Sequence, residues 1–483
     1  MKRDNFGSKL GILAAAAGSA IGLGNIWKFP YITGQNGGAA FILVYLACIV
    51  LVGLPVMLTE FALGRRTHRN AVGAFKELEP NKPWYLSGIV SVTTAFIILS
   101  FYAIIAGWVF SYLSRSASGK LINVAPDKLE DYFGAIISNG TEPIVWTFVV
   151  LVVTAGVVIL GVKTGIEKCS KFLMPILLLI LIALMIRSVT LDGASAGLEF
   201  LFKPDFSQLT KKGVLEALGH SFYSLSLGMA IIMTYGSYID KKENIFKLAV
   251  QVTIADTLIA LMAGVVIFPA VFAYGLKPNS GPGLIFITLP AVFKAMPFGA
   301  FFETLFFLLI GIAAVTSTIS LMEVVVAFVT EQFNMGRKKA TVLVTLALFA
   351  LSIPSTLSFG AWSEVKMFGK NFFDLFDYIT ANISLPLGGV LVCVFGGWIW
   401  GTKNVVKEIE SDGLHPFSWS NLYSFAIKVV APLAIMVIFV HSIGLMEYFK
   451  TGLSTNALLV VGGLVVLVLA AWGLKSRRTS NEE

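Results

Sequence analysis

Residues 18–30 read GSAIGLGNIWKFP, and they interrupt a stretch that is otherwise apolar enough to lie in a membrane. Glycine lowers helix stability and proline removes a backbone donor, so a helix is expected to break here. Within a bilayer, such a break persists only where other groups satisfy the freed amides and carbonyls, or where the backbone lines a cavity. The stretch therefore predicts a kinked helix packed through small residues, or a broken helix that forms a binding site at mid-membrane depth.

The composition is that of a helical membrane protein. The chain has 483 residues, of which 56% are hydrophobic and 13% charged, and its mean hydropathy is +0.82. Apolar stretches of about 20 residues, the length that crosses a bilayer as a helix, recur along the whole chain. We expect twelve spans, at about 8–33, 38–64, 86–114, 143–161, 170–187, 214–239, 244–275, 300–330, 340–353, 375–401, 421–446 and 456–474.

The basic residues are distributed unevenly between the loops. The net charge of +8 does not indicate nucleic-acid binding, because lysines and arginines cluster in alternate loops, as at Arg65–Arg66, Lys241–Lys242 and Arg337–Lys339. Positively charged loops stay on the cytoplasmic side of a membrane. With an even number of spans, both termini are therefore expected to be cytoplasmic.

A second interrupted segment favours the binding-site interpretation of the first. Residues 224–229 read SLSLGM within the sixth span, five spans after the first break. Because five is odd, the two broken spans run through the membrane in opposite directions, as in an inverted repeat. The pattern predicts one domain over 1–483, with a first five-helix repeat at about 8–187, a second at about 214–401, and helices eleven and twelve at about 421–474.

Four motifs together carry a resemblance to a known family. They are residues 18–30, NGG at 36–38, EFALGR at 60–65 and SLSLG at 224–228. The chain resembles the sodium-coupled neurotransmitter and amino-acid symporters, and in particular their bacterial amino-acid members, over nearly its whole length. The resemblance implies the all-α leucine-transporter fold, with twelve transmembrane helices, discontinuous helices 1 and 6, and two extra helices after the inverted repeat.

The resemblance implies an amino-acid site between the two broken helices. A zwitterion in a low-dielectric site needs donors for its carboxylate and acceptors for its ammonium, and half-helix ends supply both. Composition alone would make Tyr102 a core residue, but the resemblance gives its hydroxyl to the substrate carboxylate. The implied site residues are Ser19, Ala20, Gly22, Leu23, Gly24, Ile98, Tyr102, Tyr223, Ser224, Ser226, Met229, Ser317 and Leu321. None has a fixed charge, so neutral hydrophobic L-amino acids are expected, aromatic ones included.

One or two sodium ions are implied as well, and a hard cation takes oxygen ligands. One implied site comprises Gly18, Ile21, Ala313, Thr316 and Ser317, and the other comprises Ala20, Asn25, Ser224, Asp256 and the substrate's carboxylate. The family usually has asparagine where Asp256 stands. The carboxylate can supply the negative charge that chloride brings elsewhere in the family, so no chloride is expected.

Two further residues near Asp256 are interpreted through the resemblance. Tyr45 stands at the family's chloride position and is expected within hydrogen-bonding reach of the Asp256 carboxylate. His220 stands where the family usually has glutamine. His220 is either a neutral, hydrogen-bonded core residue or a proton partner of Asp256 that gives proton counter-movement.

The resemblance also implies gates on both sides of the site. The outer gate is Lys28 with Asp377, and the inner gate is Arg3 with Glu331, next to Phe6 and Tyr238. Lysine replaces the family's usual arginine in the outer gate, which predicts a point-charge contact instead of a bidentate one. Glu60 is expected to tie the broken helices together, and the spacing of Gly165 and Pro175 matches a family pattern at the start of the fifth span.

These features predict a sodium-coupled symporter that imports amino acids by alternating access, and not an enzyme, because no nucleophile–base set or metal cluster is evident. The alternative is a transporter-like sensor that binds an amino acid without moving it, against which gates on both sides argue. The expected partners are the amino acid and the lipid bilayer, and the chain is expected to be a monomer or a weak homodimer. By resemblance, it lies in a bacterial inner membrane.

Overall fold

The computed structural model describes residues 4–276 and 281–443, and within these ranges the chain is built from helices. In chain order they are α1 (Lys9–Ala20), α2 (Gly24–Gln35), α3 (Ala39–Thr67), α4 (Ala71–Leu78), α5 (Tyr85–Ala117), α6 (Leu129–Ser138), α7 (Glu142–Ile159), α8 (Val162–Val189), α9 (Ala194–Phe202), α10 (Lys211–Ser224), α11 (Ile231–Gly236), α12 (Ile245–Ala273), α13 (Leu284–Ala295), α14 (Gly299–Gln332), α15 (Arg337–Leu357), α16 (Phe372–Ile399), α17 (Thr402–Ile409) and α18 (Ser420–Ser442).

In the described ranges, eleven of the twelve predicted spans are present and lie nearly where the sequence places them. In the described ranges, nine single helices are long and apolar enough to cross a membrane, and the bent pair of α1 and α2 adds a tenth. The predicted sixth span is present as two short helices, α10 and α11, which are separated by residues 225–230. The predicted twelfth span, 456–474, lies outside the described residues.

Two spans differ from their predicted lengths. The ninth, expected to be short at 340–353, is the 21-residue helix α15, which crosses a membrane unaided. The fifth begins at Val162 instead of residue 170, because Val162–Glu167 forms a wide π-type turn that continues into the helix. Gly165 lies in this turn and packs on the carbonyl of Val157, where a Cβ would come within 2.1 Å of the oxygen.

The first break occurs where the opening sequence predicts it. Ser8 caps α1 by accepting a hydrogen bond from the Gly11 amide. The helix ends at Ala20 because Ile21 adopts an extended backbone, with φ −74° and ψ 96°. The chain resumes as α2 at an angle of 49°. Both sides of the break are buried, so the backbone groups released at residues 21–23 face protein rather than lipid.

The second break has a different backbone cause. Between α10 and α11, Ser226, Gly228 and Ala230 all have positive φ, at 56°, 77° and 61°. This conformation is incompatible with a continuing helix. Gly228 is required, because a Cβ there would lie 2.7 Å from the carbonyl of Leu385. The Glu60 carboxylate accepts a hydrogen bond of 2.8 Å from the Gly228 amide, so α3 holds the non-helical segment in place.

Around these breaks, α5 and α14 pack along each other through the centre of the molecule and carry the opposite wall of the site. The segment predicted to be a capping loop, Leu276 to Phe298, contains the short apolar helix α13. It is tied to the first broken span, because the Trp27 indole donates to the Gly281 carbonyl over 2.8 Å. The fold therefore places both breaks, two long helices and a capping segment around one buried volume.

Candidate functional site

The two breaks meet at a small cavity of about 30 Å³ lined mostly by buried residues. Its lining contains all but one of the predicted substrate residues and adds a residue that the sequence did not indicate. The lining residues are Ser19, Ala20, Gly22, Gly24, Ile98, Tyr102, Tyr223, Ser224, Ser226, Met229, Ile231, Ser317 and Leu321. None of these side chains carries a fixed charge.

Leu23 is the exception, and its position changes how the backbone amides could bind a substrate carboxylate. Leu23 does not line the cavity, and its amide donates a hydrogen bond of 3.1 Å to the Tyr102 hydroxyl. The Gly22 amide is also engaged, because it donates to the Asn25 side-chain oxygen over 3.0 Å. The predicted donors are thus engaged within the protein in this structure, Leu23 with Tyr102 and Gly22 with Asn25, and a substrate carboxylate would have to replace these partners.

Close packing explains why glycine stands at the break. A Cβ on Gly22 would lie 2.4 Å from the Ser317 hydroxyl and 3.1 Å from the Tyr102 hydroxyl. Across the cavity, the Ser226 hydroxyl donates to the Ser19 carbonyl over 3.0 Å, which joins the last turn of α1 to the non-helical segment after α10. Ile231 was missed because it follows the recognised motif as an ordinary apolar residue, and only the turn at Ala230 directs it to the cavity.

Three buried polar side chains meet beside this cavity. The Asn25 amide donates to the Asp256 carboxylate over 2.7 Å, and the Ser224 hydroxyl donates to both carboxylate oxygens, over 3.0 and 2.9 Å. Asn25 and Asp256 are fully buried and Ser224 nearly so. A carboxylate, an amide oxygen and a hydroxyl are ligands suited to a hard cation. Ala20, the fourth residue predicted for this sodium site, lines the adjoining cavity.

The second predicted sodium set lies between α1 and α14. A Cβ on Gly18 would lie 3.6 Å from Cβ of Thr316, and Ser317 faces Gly22 in the same way. The Thr316 hydroxyl donates to the carbonyls of Ile312 and Ala313, over 3.2 and 3.1 Å, as threonines in apolar helices commonly do. Ile21, which ends α1, is buried next to this contact. The structure thus brings these residues to one helix–helix boundary.

Tyr45 and His220 are placed differently from the expectation. Tyr45 does not hydrogen-bond to Asp256, and within the described residues its buried hydroxyl has no hydrogen-bond partner. The two nitrogens of His220 also have none there, so neither the predicted core hydrogen bond nor a contact with Asp256 is seen. The His220 ring stacks at 5.9 Å on Phe29 and lies 5.4 Å from the Tyr45 ring. Asn25 and Ser224 donate hydrogen bonds to the Asp256 carboxylate instead.

Above the cavity, Tyr102 and Tyr223 separate it from a wider vestibule of about 210 Å³. Lys28 and Asp377 both line this vestibule. In the described part of the chain they do not form an ion pair, because the Lys28 ammonium lies 4.5 Å above the centre of the Tyr223 ring. The outer contact is therefore a cation–π interaction in this conformation.

Below the cavity, the strand-like segment before α1 closes the opposite side. The Phe6 amide donates to the Tyr238 carbonyl over 3.2 Å, and the Phe6 ring packs edge-on against Tyr235 and Tyr238. The Glu331 carboxylate accepts two hydrogen bonds from Asn70. Arg3, its predicted partner, lies outside the described residues.

A partly buried ion pair under Tyr238 was not predicted. The Tyr238 hydroxyl donates to Glu323 over 2.6 Å, and the Arg337 guanidinium binds both oxygens of that carboxylate. Arg337 also donates to the Val158 carbonyl over 2.7 Å. The sequence offered a signal, since a carboxylate inside an apolar span is rarely without a partner and an arginine begins the next span.

A helical bundle with two interrupted spans around an oxygen-lined pocket, with barriers on both sides, defines a secondary transporter. The family model described as the sodium:neurotransmitter symporter family matches residues 3–125 and 136–461. The chain belongs to the sodium:neurotransmitter symporter family. It is a sodium-dependent membrane transporter and not an enzyme, and its sequence-based recognition as a member of this family is confirmed.

Individual relatives agree over nearly their whole length. The chain is 39% identical over 447 residues to the sodium-dependent transporter YhdH of Bacillus subtilis (strain 168), covering 92% of this chain and 99% of that protein. It is 36% identical over 455 residues to a sodium-dependent transporter of Haemophilus influenzae, covering 92% and 98%. The crystal structure of MhsT in complex with L-phenylalanine matches with a TM-score of 0.84 and 44% identity, over 91% of this chain and all of that chain.

Proposed function

We propose that this transporter imports neutral hydrophobic L-amino acids, aromatic ones included, together with one or two sodium ions and without a requirement for chloride. The observation that carries the proposal is the adjacency of two features. A pocket whose lining bears no fixed charge lies directly beside the buried Asn25–Ser224–Asp256 cluster. A neutral side chain and a cation can therefore be held next to each other.

The chemistry of the pocket supports an amino acid as the substrate. The Leu23 amide and Tyr102 hydroxyl already form a donor pair at the first break, where a carboxylate can take the place of their mutual hydrogen bond. A charged substrate side chain would find no partner among these residues. Burying an unpaired charge costs about several kcal/mol, so such a substrate is disfavoured. MhsT, which is 44% identical, was crystallised in complex with L-phenylalanine, so L-phenylalanine is the first amino acid to test here.

Coupling to sodium follows from the shared position of the ion and substrate groups. Asn25 bonds to the Gly22 amide through its oxygen and to Asp256 through its nitrogen, so it joins the substrate-side backbone to the carboxylate. A sodium ion among these oxygens would offset the charge of Asp256, and an adjacent substrate carboxylate would serve as a further oxygen ligand of that ion. Since Asp256 supplies the fixed negative charge, chloride has no required role in this proposal.

The test is uptake of radiolabelled phenylalanine, leucine, alanine and glutamate into proteoliposomes, with an inward sodium gradient or with potassium in its place. The proposal requires accumulation of the neutral hydrophobic substrates that depends on sodium and persists when gluconate replaces chloride. Preferred uptake of glutamate would contradict the proposed substrate class. Saturable binding of an amino acid without accumulation would support the alternative of a sensor.

A further inference from the structure

The loop between α15 and α16 presents apolar side chains to its surroundings. Residues 361–369 are all exposed, and they include Trp362, Val365 and Met367 at 38%, 46% and 46%. At the tip, Phe368 is 91% exposed. Single exposed apolar residues are ordinary, but four of them within seven positions form a patch that calls for a partner.

The backbone at the tip holds Phe368 outward in an unfavourable conformation. Met367 and Lys370 exchange two backbone hydrogen bonds, of 2.8 and 3.1 Å, and so close a two-residue hairpin turn. Phe368 and Gly369 at its centre have φ of 54° and 75°. Asparagine and glycine are preferred in such a turn, whereas a bulky residue with positive φ is rare. An exposed phenylalanine is thus kept at the position that suits it least.

The loop is fixed to the protein at its base. Trp362 lies five residues after the end of α15, and its amide bonds back to the Leu357 carbonyl over 2.9 Å. Its ring packs 6.0 Å from Phe372 at the start of α16. On the returning side, the Lys370 ammonium lies 4.8 Å above the Tyr378 ring. The tip is therefore attached to the first turns of α16, the helix that carries Asp377 of the outer vestibule.

We infer that this hairpin tip, residues 365–370, inserts into the headgroup–acyl boundary of the bilayer and anchors the outer end of α16. The loop follows the end of α15, a membrane span whose first half exposes Val342, Leu343 and Leu346 by about one half. These side chains face lipid, so the other end of the same span, where the loop starts, reaches the opposite bilayer surface. Aromatic residues concentrate at the membrane interface because their rings suit its mixed polarity.

Charge around the tip agrees with a lipid partner. Lys366 and Lys370 flank Met367 and Phe368, while Glu364 lies one residue before the hairpin. The exposed Lys366 can reach headgroup phosphates while the apolar side chains enter the acyl region, and Lys370 stays over the Tyr378 ring. The inference does not depend on the proposed substrate or ion, since it concerns only a loop outside the transport site.

The experiment places an environment-sensitive NBD label at Val365→Cys, in a background where Cys48, Cys169 and Cys393 are replaced by alanine. The transporter is reconstituted in vesicles of phosphatidylcholine and phosphatidylglycerol. Quenching by a lipid with a nitroxide near its headgroup is compared with quenching by iodide in the water. Asp127→Cys, in a different exposed loop, is labelled in the same way as the control.

We expect the label at 365 to be quenched by the nitroxide lipid and protected from iodide, and the label at 127 to behave in the opposite way. Phe368→Asn should abolish the lipid quenching at 365, while the fold persists because asparagine suits the turn. Equal iodide quenching at both positions would overturn the proposal. So would unchanged lipid quenching in Phe368→Asn, or protection that depends on the protein-to-lipid ratio, which would indicate a second copy as the partner.

Discussion

Asp256 is the residue on which ion coupling and chloride independence both depend in the proposed mechanism. We expect Asp256→Asn to raise the sodium concentration for half-maximal uptake by roughly tenfold or more, because a cation ligand loses its charge at a cost of about 1.4 kcal/mol or above. The measurement is sodium-dependent phenylalanine uptake in proteoliposomes, with and without chloride. Partial recovery by chloride in this variant alone would support charge replacement at this point.

The matched control is a buried carboxylate away from the site. Glu303 is fully buried and accepts a hydrogen bond from Ser116 in the outer part of the bundle. Glu303→Gln should leave the sodium dependence of uptake unchanged. If Glu303→Gln and Asp256→Asn shift the sodium dependence equally, loss of any buried charge is enough, and the assigned role of Asp256 is wrong.

Gly22 permits the close approach of the first break to α5 and α14. In Gly22→Ala the new methyl group would lie 2.4 Å from the Ser317 hydroxyl. Overpacking of this kind costs about 1–3 kcal/mol. We therefore expect phenylalanine uptake to fall by roughly 5- to 150-fold. The control is Gly156→Ala in α7, where a Cβ meets nothing within 4 Å and helix propensity favours alanine. Equal losses in the two variants would contradict the packing argument.

At the scale of elements, the non-helical segment between α10 and α11 depends on α3. Glu60→Ala removes the acceptor of the Gly228 amide and leaves a buried donor unsatisfied, which costs about 1–3 kcal/mol. Glu60→Gln keeps a side-chain oxygen there and should be milder. Thermal unfolding of the purified protein, together with uptake, would measure the difference. Comparable destabilisation by both variants would show that the carboxylate's charge, not its hydrogen bond, is what matters.

The ion pair of the buried Glu323 and the partly exposed Arg337 joins α14 to the start of α15 under Tyr238. Arg337→Ala leaves a buried carboxylate unpaired, so we expect a loss of about 3–5 kcal/mol in stability. Lys339→Ala, at an exposed position of the same turn, should have no effect. Replacing both members of the pair with methionine should restore most of the stability. If the double variant is no more stable than Arg337→Ala, the two side chains do not act as a pair.

The helices show what a sequence can and cannot reveal about such a fold. Glycines in an apolar stretch identified both breaks, because helix propensity is local. The extension of the ninth span to Arg337–Leu357 was missed because its ends are polar residues that pair or pack in the structure. A prediction from hydropathy alone assigns such polar residues to the adjoining loop.

The same distinction holds within the site. Asn25 and Asp256 are polar in apolar spans, so the sequence marks them directly, and the structure places them 2.7 Å apart. Ile231 carries no such mark, because its place in the cavity depends on the backbone turn at Ala230. His220 and Tyr45 face each other instead of Asp256. This arrangement arises from tertiary packing, which the neighbouring residues in sequence do not determine.

For the whole molecule, binding of sodium and of the amino acid must be coupled if both share the Asn25–Ser224–Asp256 cluster. Sodium at 100 times its dissociation constant should stabilise the folded protein by about 2.7 kcal/mol. By linkage, phenylalanine should stabilise it further in sodium but little in potassium. Thermal unfolding in detergent with each ion, with and without phenylalanine, measures this directly. Equal stabilisation by phenylalanine in sodium and in potassium would show that amino-acid binding is not coupled to sodium binding. If binding is coupled but no uptake is measured, the assigned binding site is supported and the proposed transport is contradicted.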